Sequence, residues 1–240
     1  MTAALLSSSY LAIAEARSSD AFRDQIIRFA NQLGFRYVSA MTVIDHSLTK
    51  SDFISVDNMP DAWRDSGAFN GQNRDPVMQH CKHGALPIIW DQSTYLRQGS
   101  IDLWEEQAAF GYRTGIALAL HLPEGRHFML SVDRDQPLEQ PAQELTRMVA
   151  DLQLFAVHAQ DTALRLFVPA EQLVETPSLT PRELEALRWT MEGKTAWEVG
   201  SILGISERTA VLHIQNAMRK LGSVNKHQAV LKALRLGLIH

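Results

Sequence analysis

The sequence predicts an α+β protein of two domains: an N-terminal α/β/α sandwich with a central antiparallel sheet, and a C-terminal all-α unit of four short helices. Three observations predict it. Short strand-like runs bounded by turn residues recur between 37 and 133, with helical periodicity on either side of them. Four helix starts, each with its own capping signal, crowd the stretch from Thr180 to the C-terminus. The charge is also split. Residues 177–240 carry nine Lys or Arg against five Asp or Glu, whereas residues 1–176 carry 14 against 22, so the net −4 hides a cationic module on an acidic body.

In chain order, Ser19 caps a helix over Asp20–Leu33 with Phe22, Ile26, Phe29, Ala30 and Leu33 on one side and Gly34 as its stop. Strands follow over Tyr37–Ile44 and Asp52–Val56, joined by a polar turn. Pro60 opens a short helix carrying Trp63, Asp75-Pro76 opens another through His80, and Asp102–Phe110 makes a third. Strands over Gly115–Leu122 and His127–Asp133 form a hairpin across Pro123-Glu124-Gly125-Arg126. Pro141–Phe167 is a long helix with Leu145, Met148, Leu152, Phe155 and Ala159 in register. Val168–Ser178, with two prolines, is the linker, which sets the domains at 1–167 and 179–240.

In the C-terminal unit, Thr180, Thr195 and Asn225 each stand three residues before Glu183, Glu198 and Gln228, the spacing of a reciprocal capping box, and Ser206 caps the remaining helix. Thr195–Leu203, the turn Gly204-Ile205 and Ser206–Leu221 have the layout of a helix-turn-helix. Val199, Ile202, Leu203, Ile205, Ala210, Ile214, Ala217 and Leu221 form the inward stripe, leaving Arg208, Val211, Gln215, Arg219 and Lys220 on other faces. Spacing alone fits either a groove-reading helix or a bundle whose charged face is merely solvated. The charge split favours DNA, because phosphate neutralisation supplies most non-specific affinity.

Composition excludes several classes. At 240 residues, 45% hydrophobic and 21% charged, the chain has material for two cores and is not disordered. No apolar run reaches membrane length, and Met1–Ala16 lacks the pattern of a secretory signal, so a cytoplasmic location is expected. The single Cys81 forbids an internal disulfide. His80 and His83 read as surface or packing residues rather than metal ligands, and no phosphate loop or nucleophile elbow is present. Neither an enzyme, a cofactor nor a metal is expected.

The stretch LTPRELEALRWTMEGKTAWEVGSILGISERTAVLHIQNAMRKLGSVNKHQAVLKALRLGLI resembles the DNA-binding domain of the LuxR family of bacterial transcription regulators, with Glu183, Leu187, Gly193, Thr209, His213, Lys220 and Leu221 at the family spacing. The resemblance implies that Val211 and Gln215 read base edges, with Arg208, Thr209, His213 and Lys220 close to the DNA backbone. It implies a homodimer on an inverted repeat in promoter DNA, with RNA polymerase as a further partner open to it. Ala210-Val211-Leu212 departs from the family's common residues, so the operator is the chain's own.

Residues 20–165 are similar to the autoinducer-binding sensor domain of the quorum-sensing branch through DNMPDAW, RDPVMQHC, LPIIWDQSTY, LWEEQAAFGYRTGIAL and MLSVDR. The resemblance implies a small-molecule ligand, an N-acyl-homoserine lactone, held or supported by Trp63, Asp75, Pro76, Trp90 and Gly115, with Met59, Val77, Tyr95, Trp104 and Met129 around them. The chemistry is apt. An indole N–H can donate to a lactone carbonyl, a carboxylate can accept from an amide N–H, and an acyl tail needs an apolar slot. Each residue alone has a plainer reading, Asp75-Pro76 as a helix cap and either tryptophan as core.

Met59, Gly67, Val77 and Met129 stand where the family often carries hydroxyls, so an apolar wall and an acyl chain without a 3-oxo group are expected. Phe69 is a candidate to fill the space of a lost ring. The alternatives are a regulator of the same build with a non-lactone ligand or none, and a regulator that sequesters a protein partner.

Overall fold

A computed structural model of the chain describes residues 2–47, 50–65, 74–138, 141–168 and 177–240. Gly67, Phe69 and residues 169–176 of the expected linker lie outside the described residues. The chain divides into two compact units. The first holds five strands, β1 (Tyr37–Ser47), β2 (Lys50–Asp57), β3 (Ile88–Trp90), β4 (Thr114–Leu122) and β5 (Arg126–Arg134), paired antiparallel throughout in the order β2-β1-β5-β4-β3.

Alternation along the strands gives the sheet two different faces. On β5, Phe128, Leu130 and Val132 are buried in one core, and Met129, Ser131 and Asp133 line a cavity on the other side. β1 divides likewise, with Val38 and Ala40 in the first core and Ser39 and Met41 at the cavity.

The first face is covered by α1 (Thr2–Ala14), α2 (Ser19–Gln32) and α7 (Ala142–Phe167). Phe29 of α2 and Phe155 of α7 stack with ring centroids 3.8 Å apart at its centre. The cap of α2 is Ser18 rather than Ser19, with its hydroxyl accepting from the Ala21 N–H, because Ser18 holds the extended backbone that a cap requires. Helix α1 has no sequence-level stop. Instead its last turn is held from a distance: Thr162 Oγ1 donates to the Ile13 carbonyl at 3.0 Å, and Arg165 donates to those of Ala14 and Ala16 at 2.9 and 3.1 Å.

The second face carries α3 (Asp61–Arg64), α4 (Pro76–His83), α5 (Gln92–Arg97) and α6 (Ile101–Ala108), and completes the α/β/α sandwich. β3 and α5 are not foreseen from sequence. Three residues are too few for strand alternation to show, and the capping box of α5 uses Asp91 with the Thr94 hydroxyl where a glutamate would have been the recognisable signal.

The second unit consists of α8 (Pro181–Met191), α9 (Ala196–Leu203), α10 (Glu207–Lys220) and α11 (Lys226–Arg235). Reciprocal boxes form at Thr180/Glu183 and Thr195/Glu198. At the fourth start Asn225 does cap the helix, but Gln228 reaches past it to accept from the Val224 N–H at 2.7 Å. Fully buried Ala186, Ala210, Ala217, Ala229 and Ala233 let the helices approach closely. Gly200 sets the helix-turn-helix angle, since a Cβ there would stand 2.9 Å from the Ile205 carbonyl oxygen and 3.1 Å from the Glu207 N. Ile202, expected in the inward stripe, is instead 45% exposed: it lies one turn on from buried Val199 but on the side of α9 turned away from buried Gly200.

Glu183 joins α8 to α10. Its Oε2 accepts from the Thr180 N–H and from Lys220 Nζ, both at 2.7 Å, while the residue is 3% exposed. Burial alone would raise this carboxyl, but the Lys220 ammonium and the Thr180 N–H outweigh it and hold it below the ordinary carboxylate value. Lys220→Met would leave a buried carboxylate without its cation and should destabilise the unit by about 1–3 kcal/mol. Because the folded value is depressed, the contribution is present above the unfolded value and is lost as pH falls through the folded one. Hydrogen exchange of the α8 and α10 amides in the full chain should therefore show wild type converging on Lys220→Met in acid, and a variant as protected as wild type at pH 7 would contradict the pairing.

Candidate functional site

The cavity on the second face measures about 460 Å³, within the range of small-molecule sites. Of the residues singled out by sequence, Met59, Trp63, Asp75, Val77, Trp90, Tyr95 and Met129 line it. Pro76, Trp104 and Gly115 do not. Trp104 packs behind the wall, its indole N–H donating to the Arg113 carbonyl at 3.1 Å. Gly115, on β4 opposite Trp90, acts through what it lacks: a Cβ would stand 2.5 Å from Asp133 Oδ1, 2.6 Å from the Val132 carbonyl oxygen and 2.7 Å from Trp90 Nε1.

Asp75 has two roles. As the N-cap of α4, its Oδ1 accepts from the Val77 and Met78 N–H groups at 2.7 and 3.2 Å. The Tyr95 hydroxyl lies 3.3 Å from each Asp75 oxygen and 3.4 Å from Gln107 Oε1, so one proton serves three acceptors. Among the described residues Oδ2 has that weak contact alone. Burial raises the Asp75 carboxyl despite the three hydrogen bonds, and burial first, then the Asp75 charge, raises the Tyr95 phenol.

The wall holds polar groups that the motif comparison missed. Ser39, Ser55 and Ser131 bring hydroxyls, Arg64 and Asp57 an ion pair, and Asp133 a third carboxylate. Met59, Val77 and Met129 line the cavity as apolar side chains, and neighbouring strand positions set hydroxyls among them. Asp133 is 3% exposed, and burial pushes its carboxyl up to about 7 against the stabilising Ser131 hydroxyl at 2.9 Å. Strand alternation was the available signal, since Phe128, Leu130 and Val132 fix the phase of β5. Trp90 Nε1, Gln107 Nε2 and the Tyr112 hydroxyl are buried donors without a partner among the described residues, all in the cavity wall.

In the second unit, Arg208, Leu212, Gln215 and Arg219 form the exposed side of α10, opposite buried Ala210, Ile214 and Ala217. Leu212 is 53% exposed and was not among the base-reading residues, whereas Val211 and His213 are half-buried at the edges of that side. Thr209 shares a 2.8 Å hydrogen bond with the Ser206 hydroxyl, and Lys220 faces Glu183. Among the described residues no group of three or more His, Cys, Asp or Glu could hold a metal ion, and no helix is long and apolar enough to cross a membrane.

The model of the autoinducer binding domain matches residues 18–163, and that of bacterial regulatory proteins, luxR family, matches residues 177–233. The chain belongs to the LuxR family. It is 33% identical over 228 residues to the transcriptional activator protein AnoR of Acinetobacter nosocomialis, covering 93% of this chain and 94% of AnoR. It is 30% identical over 226 residues to the transcriptional activator protein AhyR of Aeromonas hydrophila, covering 92% and 86%. The crystal structure of Escherichia coli SdiA matches over the whole of both chains at 28% identity and a TM-score of 0.70, and that of SdiA in complex with octanoyl-rac-glycerol matches at 29% and 0.69 over 99% and 96%. This LuxR-family chain is thus a quorum-sensing transcription regulator with an autoinducer-binding domain, and its family is one of regulators rather than enzymes.

Gly115→Ala tests how tightly this LuxR-family site is built. One of the three atoms that a Cβ would meet is a backbone oxygen in the middle of the sheet, so the clash cannot be relieved by a side-chain rotation. The substitution should cost about 1–3 kcal/mol and lower the melting temperature by several degrees in calorimetry of the purified protein. An unchanged melting temperature would refute the close approach.

Proposed function

We propose that the chain binds an N-acylated signal, in the first instance an N-acyl-homoserine lactone, in the cavity of its sandwich domain and, as a cytoplasmic homodimer, controls promoter DNA through an inverted repeat. The observation that carries the ligand reading is the half-buried Asp75 carboxylate, which lines a cavity of about 460 Å³ together with Trp63 and whose Oδ2 has, among the described residues, only the long contact to the Tyr95 hydroxyl. It suits an amide N–H, and Met41, Met59, Val77, Met78, Leu103 and Met129 supply the apolar slot for an acyl chain. Exposed Leu11, Leu154 and Val157 on α1 and α7 support self-association. A second reading keeps the acyl chain and replaces the lactone by another polar head; the Asp133 carboxylate beside the orphaned Trp90 N–H favours it.

On DNA, Gln215 and Leu212 stand on the exposed side of α10, where an amide can pair with an adenine edge and an apolar branch can pack on a thymine methyl. Arg208 supplies a phosphate contact, with Val211, Thr209 and His213 at the margins.

Asparagine is as good a helix cap as aspartate, so Asp75→Asn keeps the bond to the first turn of α4 while its amide loses the charged acceptor facing the cavity. Its stability without ligand should stay close to wild type, and its affinity for N-octanoyl homoserine lactone should fall by about one to two orders of magnitude. A thermal-shift titration that gives the same midpoint for both proteins would remove the ligand site.

For the DNA face, selection from random sequences should give a palindrome with wild type and relaxed preference at one base position per half-site with Gln215→Ala. Arg208→Ala should weaken all sequences alike and reduce the salt slope by about 1. An unchanged motif for Gln215→Ala would refute its base contact.

A further inference from the structure

The apolar part of the cavity wall is dominated by one residue type. Of the chain's eight methionines, Met41, Met59, Met78 and Met129 are among the described residues that line it. All four are half-buried, in a domain whose closed first core has no methionine among its buried residues. Methionine is therefore not the general filler of this fold. It is concentrated where side chains face the cavity.

The four come from separate parts of the chain. Met41 of β1 and Met129 of β5 pair directly across the sheet and form the floor, Met59 follows β2, and Met78 stands on α4 in the helical layer above. The strand neighbours of the floor pair are small, Ala119 of β4 opposite Met129 and Ser55 of β2 opposite Met41. Neighbours of that size leave a long side chain room to swing.

The chemistry of the side chain decides what such a wall does. Valine or isoleucine is stiff at χ1 and gives a wall one shape. Against it, an acyl chain that is too short leaves a void, and one that is too long forces side chains off their rotamers. An unbranched thioether with three rotatable bonds moves into a gap or withdraws from it, which is how methionine-rich surfaces accommodate varied partners. Each methylene that a ligand buries is worth about fourfold in affinity. A methionine that fills the space behind a shorter chain recovers part of that contact and flattens the dependence on length.

We propose that Met41, Met59, Met78 and Met129 make the slot deformable, so that the protein takes acyl chains of about six to about twelve carbons with comparable affinity instead of selecting one length. The proposal rests on the reading of the cavity as an acyl-signal site, with Asp75 taking the amide N–H.

The test is titration calorimetry of the full chain with N-hexanoyl, N-octanoyl, N-decanoyl and N-dodecanoyl homoserine lactone, which share one head group. For wild type the four dissociation constants should lie within about tenfold of one another, against more than about a thousandfold if every added methylene counted in full. The double variant Met41→Ile with Met129→Ile conserves the volume of the floor and suits both strands, but makes the floor stiff. In it one chain length should be favoured and the spread should widen to about a hundredfold. If the variant does not fold, the wild-type series decides alone. A wild-type spread above about tenfold, whether a sharp optimum or a steady climb, would overturn the deformable slot while leaving the acyl-signal site standing. A variant as tolerant as wild type would overturn the assignment to the methionines. Binding of none of the four lactones would overturn both the slot and the site.

Discussion

The Asp75 carboxylate is the constraint on which the ligand-binding face depends. Its Oδ1 closes the first turn of α4, and that helix brings Val77 and Cys81 against the second core and Met78 to the cavity wall. The Tyr95 hydroxyl ties the same carboxylate to α5 and α6 through Gln107. A half-buried charge is tolerated here because these donors meet it, two backbone N–H groups at Oδ1 and the Tyr95 hydroxyl shared between both oxygens, and the carboxylate so held lines the cavity. The cap reading and the site reading of Asp75-Pro76, which compete when the sequence is read alone, are therefore a single arrangement in the fold.

What could be read from the sequence was what depends on local spacing. The capping boxes at Thr180 and Thr195, the amphipathic stripes of α2 and α7 and the β4–β5 hairpin all express themselves within a few residues. Helix α1 does not, because its C-terminal carbonyls are satisfied by Thr162 and Arg165, about 150 positions away in sequence. The site shows the same division. Trp63, Asp75 and Trp90 stand in recognisable motifs, whereas Ser39 and Ser55 reach the cavity only because β1 pairs with β5 and β2 with β1 in the sheet order. Asp133 lay within reach, since its phase follows from Phe128, Leu130 and Val132, but a motif comparison centred on Met129 passes over it.

The C-terminal unit shows how formal charge overstates a binding face. Lys220 neutralises Glu183 beneath the cap of α8, and Lys232 Nζ donates to the Leu221 and Gly222 carbonyls at 2.9 and 2.8 Å, closing the end of α10. Both cations hold helices together. The exposed side of α10 is left with Arg208 and Arg219 flanking Leu212 and Gln215, a narrow mixed surface of two cations, an amide and an apolar branch.

The two cores of the sandwich domain differ in kind, and this bears on how a ligand acts. The first is apolar and closed, with Phe29 and Phe155 stacked at its centre. The second surrounds a cavity whose wall includes the unpartnered Trp90, Gln107 and Tyr112 donors and two carboxylates raised by burial. Each of these groups costs stability until something polar meets it. A ligand that fills the slot and satisfies the wall supplies both missing contributions to the native state and none to the unfolded chain, so its binding energy adds to folding stability in proportion to the logarithm of its concentration over Kd. In such a domain, recognition of the signal and consolidation of the fold are one equilibrium.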